Sequence, residues 1–435
     1  MRSHERAIGC WLLAVGWGVI AAGNPVFAQA PTERVIMIKG ATIVPVVGER
    51  IPEGDVIIRG QRIEAVGRNL PTPPGATVIE ARGLSVYPGF IDSGTQLGLT
   101  EIGSVPGGND TQELGEFNPH NIALTAVNPH SELIPVTRVN GVTSVITAAR
   151  GGLVSGFAAL IDLDGWTPDE MAVAPRVAMW VTYPRVAGGR FGQREGGGGG
   201  AEQVSRQVTQ LKEHLGRAKA YAEVKRRVEA GGRKLEDVDL RMEALVPVVE
   251  GRVPVVFEAS SAAQIRGALA IADSFGLKPI LAGATEAWAL ADTLAARKVP
   301  VIVGPTTSTP GDDDPYDMIY ANPGVLARAG VSIAFRTNDA SNVRNLPYEA
   351  ALAVAYGLDA DEALRSVTIN PARIWGVADR LGSIEPGRIA NLMVTTGDPL
   401  DVRTEVRHVF IRGVPIPMID RHTELYEKFR ARPKP

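Results

Sequence analysis

Residues 253–305 read VPVVFEASSAAQIRGALAIADSFGLKPILAGATEAWALADTLAARKVPVIVGP. Three apolar, β-branched runs (VPVVFEAS, KPILAG and VPVIVGP) alternate with helix-like segments, AAQIRGALAIADSFG and TEAWALADTLAARK. Strand followed by helix, repeated at this spacing, builds a parallel sheet whose crossovers are the helices.

The pattern extends in both directions. Upstream lie VYPGFID (86–92), GVTSVITA (141–148) preceded by the helix-like SELIPVTRVN, and VAMWVTYP (177–184). After VAMWVTYP, Val208, Leu211, Leu215, Ala218 and Ala222 step by three and four along a long amphipathic helix. Downstream, NPGVLARAG leads to VSIAFRTND (331–339) and LPYEAALAVAYGL. The number of units favours a closed (β/α)8 TIM-like barrel over residues 86–387, with a doubly wound open sheet as the alternative.

Outside this body the period changes. Residues 33–85 alternate short apolar runs with glycine turns (VIMIKGATIV, DVIIRGQRIEAVG, ATVIEARG), and ANLMVTTG and VRHVFIRGVPI repeat that pattern over 390–416. Two-residue periodicity of this kind predicts antiparallel strands. Residues 33–85 and 388–418 are therefore expected to form one small flanking β-sandwich built from both chain ends, with the barrel inserted between them and a tail over 419–435. Two loops stand apart, AGGRFGQREGGGGG (187–200) and PGDDDPYD (310–317). Each follows a strand, so in a barrel each lies on the face that carries active centres. A plain flexible insertion and a solvated acidic turn are the alternatives.

The first 28 residues read as a signal peptide. Arg2 and Arg6 precede an apolar run from Ala7 to Ala22, and Val26-Phe27-Ala28 offers small residues for cleavage. The run is shorter than the roughly 20 residues that span a bilayer, so no stable membrane span is expected after cleavage, and the location is periplasmic or secreted. Cys10, the sole cysteine, falls inside this segment, which leaves the mature chain without a disulfide, a thiol nucleophile or a thiolate ligand. Of 435 residues, 45% are hydrophobic and 21% charged, as in an ordinary globular chain. The formal charge of −3 gives no electrostatic reason for a nucleic-acid or anionic-membrane partner. A small molecule is the expected partner, and the oligomeric state is left open.

Four segments, GLSVYPGFID (83–92), GVTSV (141–145), VTINPARIWGVADRLGSIEPGRIANLMV (367–394) and GDPLDV (397–402), resemble the amidohydrolase superfamily of metal-dependent hydrolases. The resemblance spans nearly the whole mature chain, in order. It implies hydrolysis of carbon–nitrogen bonds, with a metal activating water and an eighth-strand aspartate moving the proton.

The superfamily's first strand ends in His-x-His, two imidazoles on one side of a strand and so directed at one metal. The matching positions here are Gly94 and Gln96. Glu258 stands where a fifth-strand histidine is implied, and Ala282 or Gly283 where a sixth-strand one is. The resemblance therefore implies a degenerate metal site. Binuclear zinc is not expected, although a single divalent cation on carboxylates stays open. Asp339 matches the family's general base.

Of the five histidines after residue 28, His408 and His422 lie in a strand and the tail, and His214 is expected on the solvated face of the long helix. His120 and His130 each end an Asn-Pro-His between the first two barrel strands. They are candidates for substrate binding, with a turn signature as the alternative. Glu258 and Asp339 are the candidate catalytic pair, with Arg336 close enough in sequence to bind substrate or to neutralise one of them. Two functions remain in competition: a hydrolase with an altered centre, and an inactive relative kept as a binding or partner module.

Overall fold

The computed structural model describes residues 33–185, 199–310 and 315–433. The segment read as a signal peptide and most of the glycine-rich 187–200 loop lie outside the described residues, as does the centre of the 310–317 turn.

Strands β1 (Val35–Ile43), β2 (Ile51–Arg59), β3 (Arg62–Gly67), β4 (Thr77–Glu80) and β5 (Ser85–Pro88) precede the barrel. Its eight strands are β6 (Phe90–Thr95), β7 (Val142–Thr147), β8 (Val154–Asp162), β9 (Ala172–Thr182), β10 (Val255–Ala259), β11 (Pro279–Gly283), β12 (Val301–Val303) and β13 (Ile333–Phe335). Strands β14 (Leu392–Thr395), β15 (Val406–Ile411) and β16 (Val414–Pro415) follow it.

The outer sheet runs β16-β15-β14-β5-β1-β2-β3, with β4 also on β1, so both chain ends contribute to it. β14 pairs antiparallel with β5, Met393 opposite Tyr87. A bridge between Arg62 and Ile389 brings the two arms together around Ile38, Ile43, Val56, Ile58, Leu392 and Phe410, all fully buried. β-Branched residues at alternate positions put one such row on the inner face of each strand.

The inner sheet runs β13-β12-β11-β10-β9-β8-β7-β6. Strands β9 to β13 are mutually parallel, and so are β6 and β7. β8 is the exception, antiparallel to both of its neighbours. The expected repeat of strand and helix breaks here for a local reason. Gly151 and Gly152, both at positive φ, turn the chain straight back after β7, and no helix-length segment separates β7 from β8.

At the seam between β6 and β13, Asn338 N donates to Gly94 O at 3.0 Å and Gln96 N to Asp339 O at 3.2 Å. The Asp92 carboxylate accepts from Thr337 N and Thr337 Oγ1, the latter at 2.6 Å. The barrel thus closes partly through a side chain.

Ile91, Ile146, Leu160, Ala178, Val256, Ile280 and Ile302 fill the lumen, and a larger core joins the outside of the strands to the helices. Helix Ala262–Phe275 shows how these helices start. Ser261 accepts from Gln264 N at 3.3 Å while Gln264 Oε1 accepts from Ser261 N at 3.1 Å, a reciprocal capping box. Ser261→Ala is expected to cost about 1 kcal/mol. Urea denaturation monitored by circular dichroism checks this, and an unchanged midpoint would show that the box is dispensable.

One expectation fails in this layer. His214 is buried, at 5% exposure, with its ring 4.2 Å from Phe117 and its Nδ1 2.9 Å from Arg217. Burial, followed by the charges of Arg217 and Arg241, lowers its pKa. The long helix packs Leu211, Leu215 and Ala218 onto the barrel, and position 214 shares their stripe.

Candidate functional site

Glu258 is the fourth of five residues in β10, and Arg336 follows β13 directly. Trp180 lies near the end of β9, Gly94 near the end of β6, Gly283 at the end of β11, and Gly304 just past β12. All are at the carboxyl ends of parallel strands, where a barrel gathers side chains from elements distant in sequence.

Arg336 is 2% exposed. Its Nη2 donates to Glu258 Oε1 at 3.0 Å and its Nε to Gly304 O at 3.2 Å. Trp180 Nε1 donates to the other Glu258 oxygen at 3.0 Å. Burial pushes the Glu258 carboxyl up, but the Arg336 charge and hydrogen bond, then Arg150 and Trp180, outweigh it and hold the pKa at about 2. Arg336 Nη1 is buried without a hydrogen-bond partner among the described residues.

The glycines explain how a guanidinium fits. A Cβ on Gly94 would lie 3.0 Å from Arg336 Cδ and 3.4 Å from Trp180 Cη2, and one on Gly283 3.2 Å from Arg336 Nη2. Side chains at those two positions would compete with Arg336 for the same space.

Arg150, two residues beyond Ala148 after β7, forms an outer layer. It donates to Asn338 O and Oδ1, and its Nε lies 2.7 Å from the Gln96 amide oxygen when that amide is turned toward it. Burial, then the charge of Arg336, lower its pKa, while the Glu258 and Asp339 carboxylates raise it. The sequence pattern did not single out Arg150; an arginine just past a strand end was the available signal.

Asp339 is placed differently from the expectation. Its carboxylate accepts from Ser341 N at 2.6 Å, Asn342 N at 3.3 Å and Asn342 Nδ2 at 3.0 Å. Burial raises its pKa, yet these hydrogen bonds bring it below the ordinary value. Asp339 therefore caps its own turn, and the partner of Glu258 is Arg336. Asp92 is a further carboxylate here, fully buried, and burial raises its pKa to about 7 against the hydrogen bonds from Thr337 and Gly94.

The two Asn-Pro-His histidines do not join this cluster. His120 lines a cavity with Phe157, Arg176 and Arg252, and the latter two precede the buried stretches of β9 and β10. His130 lies against Trp166, ring centroids 5.9 Å apart, in a cavity with Arg138 and Asp164. Because β8 runs backwards, Asp164 just after it also belongs to the amino-terminal end of the barrel. The antiparallel strand carries this connection away from the expected face. Asn128 Oδ1 accepts from His130 N at 3.0 Å, the local turn bond that Asn-Pro sequences favour.

A family model described as the amidohydrolase family matches residues 317–416. An amidohydrolase, tasK, of Hapsidospora irregularis is 26% identical over 402 residues, covering 83% of this chain and 39% of the relative. The solved amidohydrolase of Thermotoga maritima MSB8 superimposes with a TM-score of 0.79 at 28% identity, over 88% of this chain and 99% of that one. The chain belongs to the amidohydrolase superfamily. An N-acyl-D-aspartate deacylase of Alcaligenes xylosoxydans xylosoxydans is 46% identical over 67 residues, 15% of this chain and 13% of its own length.

Membership implies a metal, and the residues at the amidohydrolase centre do not fit one. Gly94 offers no ligand and Gln96 turns to Arg150. Both Glu258 oxygens are engaged, and Ala282 is a lumen apolar residue. Among the described residues no three His, Cys, Asp or Glu side chains are grouped to hold an ion. Zinc takes three or four such donors at once.

Proposed function

We propose that this chain is an exported hydrolase acting on carbon–nitrogen bonds of a small non-peptide or cyclic amide, with a degenerate metal site. The amidohydrolase family match over residues 317–416, together with the fold shared with a solved amidohydrolase over 88% of the chain, carries this reading. The relatives named above and an N-substituted formamide deformylase, 46% identical over 61 residues, support the bond class. In such a reaction water adds to the carbonyl carbon, the C–N bond breaks, and the departing nitrogen takes up a proton. Arg150, whose charge is coupled to Asp339, is the group proposed to polarise a carbonyl oxygen, and Asp339 the one proposed to take a proton from water, giving up a hydrogen bond of its own turn to do so. A carboxylate of lowered pKa is a weak base, so turnover is expected to be slow.

Arg2, Arg6 and the apolar run to Ala22 support export, and no described helix is long and apolar enough to cross a membrane. A binding or partner module is the second reading. The observation favouring it is the pairing of Glu258 with Arg336 and Trp180, which engages both Glu258 oxygens. Turnover measured on N-acyl amino acids, dipeptides and cyclic amides, with and without divalent metal, separates the two. Asp339→Asn should lose the activity while keeping the fold, because an amide oxygen still accepts from Ser341 N. No turnover by the unmutated protein on any of these would leave the binding module.

A further inference from the structure

We infer that Arg336 replaces the superfamily's metal as the permanent cation at the barrel centre, and that this centre is a site for a guanidinium group and not for a divalent ion. The inference rests on superfamily membership and on geometry, independently of turnover. The first ligand position implied on β6 is Gly94, and a Cβ there would stand 3.0 Å from Arg336 Cδ. A side chain at 94 would therefore crowd Arg336, which would have to shift to make room even for the Cβ. At the end of β11, a Cβ on Gly283 would stand 3.2 Å from Nη2 of the same guanidinium.

The remaining contacts suit a planar cation. Glu258 accepts from Nη2, and its second oxygen is held by Trp180, which fixes the carboxylate plane. Gly304 O accepts from Nε. A guanidinium is flat, always charged and directs its N–H groups in one plane, so it can use a carboxylate and a carbonyl set around it. A zinc ion would need these oxygens to be joined by imidazoles, and among the described residues no histidine is grouped with Glu258 to supply one. Nη1 is buried without a partner among the described residues, so the cluster engages the guanidinium through Nε and Nη2 and does not use its full donor set.

Arg336→Ala should leave a guanidinium-shaped vacancy beside Glu258. Millimolar methylguanidinium is expected to raise the melting midpoint of this variant by several degrees and that of the unmutated protein hardly at all. Tetramethylammonium and zinc should leave the variant unchanged. If the variant folds only poorly, refolding yield with and without methylguanidinium is the readout, and recovery should require it. Calorimetric titration of the unmutated protein with zinc and with manganese should show no stoichiometric uptake.

Stoichiometric uptake by the unmutated protein, or the absence of selective rescue, overturns the inference. Amide turnover that depends on added zinc would also overturn it while upholding the hydrolase reading. Absence of both turnover and metal uptake would sink the hydrolase reading alone.

Discussion

Glu258→Gln is expected to lower the free energy of unfolding by about 3–5 kcal/mol at neutral pH. The substitution preserves shape and removes the charge that neutralises Arg336, a side chain 2% exposed with no other carboxylate on it among the described residues. The glutamine oxygen can accept from Arg336 or from Trp180, but its NH2 group must then face the other N–H donor. Linkage gives a similar size. The carboxyl falls from 4.5 to about 2 in the folded protein, which corresponds to about 3 kcal/mol.

Because the folded pKa is depressed, this stability is present above about pH 4.5 and is lost as pH falls toward 2. Urea denaturation of the two proteins, followed by tryptophan fluorescence from neutral to acidic pH, measures both effects. A difference under about 1 kcal/mol at neutral pH would mean that the pair is compensated elsewhere.

The second large effect has the opposite sign. Asp92 is fully buried, and its pKa rises from 3.8 to about 7. Folded protein then holds a proton that the unfolded chain has already released. The stabilisation is complete below about pH 3.8 and is lost as pH rises to about 7, a change on the order of 4 kcal/mol. Together with Glu258 this places maximal stability at about pH 4 to 5, on the acid side of the usual range. The test is the slope of unfolding free energy between about pH 5 and pH 8, in the unmutated protein and in Asp92→Asn. A clear fall that vanishes in the variant is expected. A flat or rising profile in the unmutated protein would mean that Thr337 and Gly94 stabilise the carboxylate enough to keep it ionised throughout.

The sequence by itself determined the class of fold, because periodicity is local. VPVVF, KPILA and VPVIV can be read as buried strands, and the intervening stretches as helices, from a dozen residues at a time. The same local reading placed strands from both ends of the chain in the outer sheet, where β14 lies on β5. It missed β8, a strand that it did not pick out between GVTSVITA and VAMWVTYP, and the glycine turn after β7 sets that strand antiparallel to its neighbours.

The site was legible as absences and candidates: Gly94 and Gln96 in place of ligands, and Glu258, Arg336 and Asp339 as charges near strand ends. Their relations were decided by the tertiary structure. Arg336 and Asp339 are neighbours in sequence, yet Asp339 turns onto its own loop while Arg336 crosses the barrel to a carboxylate 78 residues away. Which charge meets which depends on the closure of the barrel and on the room left by glycines on two other strands. Pairing in a low-dielectric interior is a sum over all neighbours in space, and no window of sequence contains them.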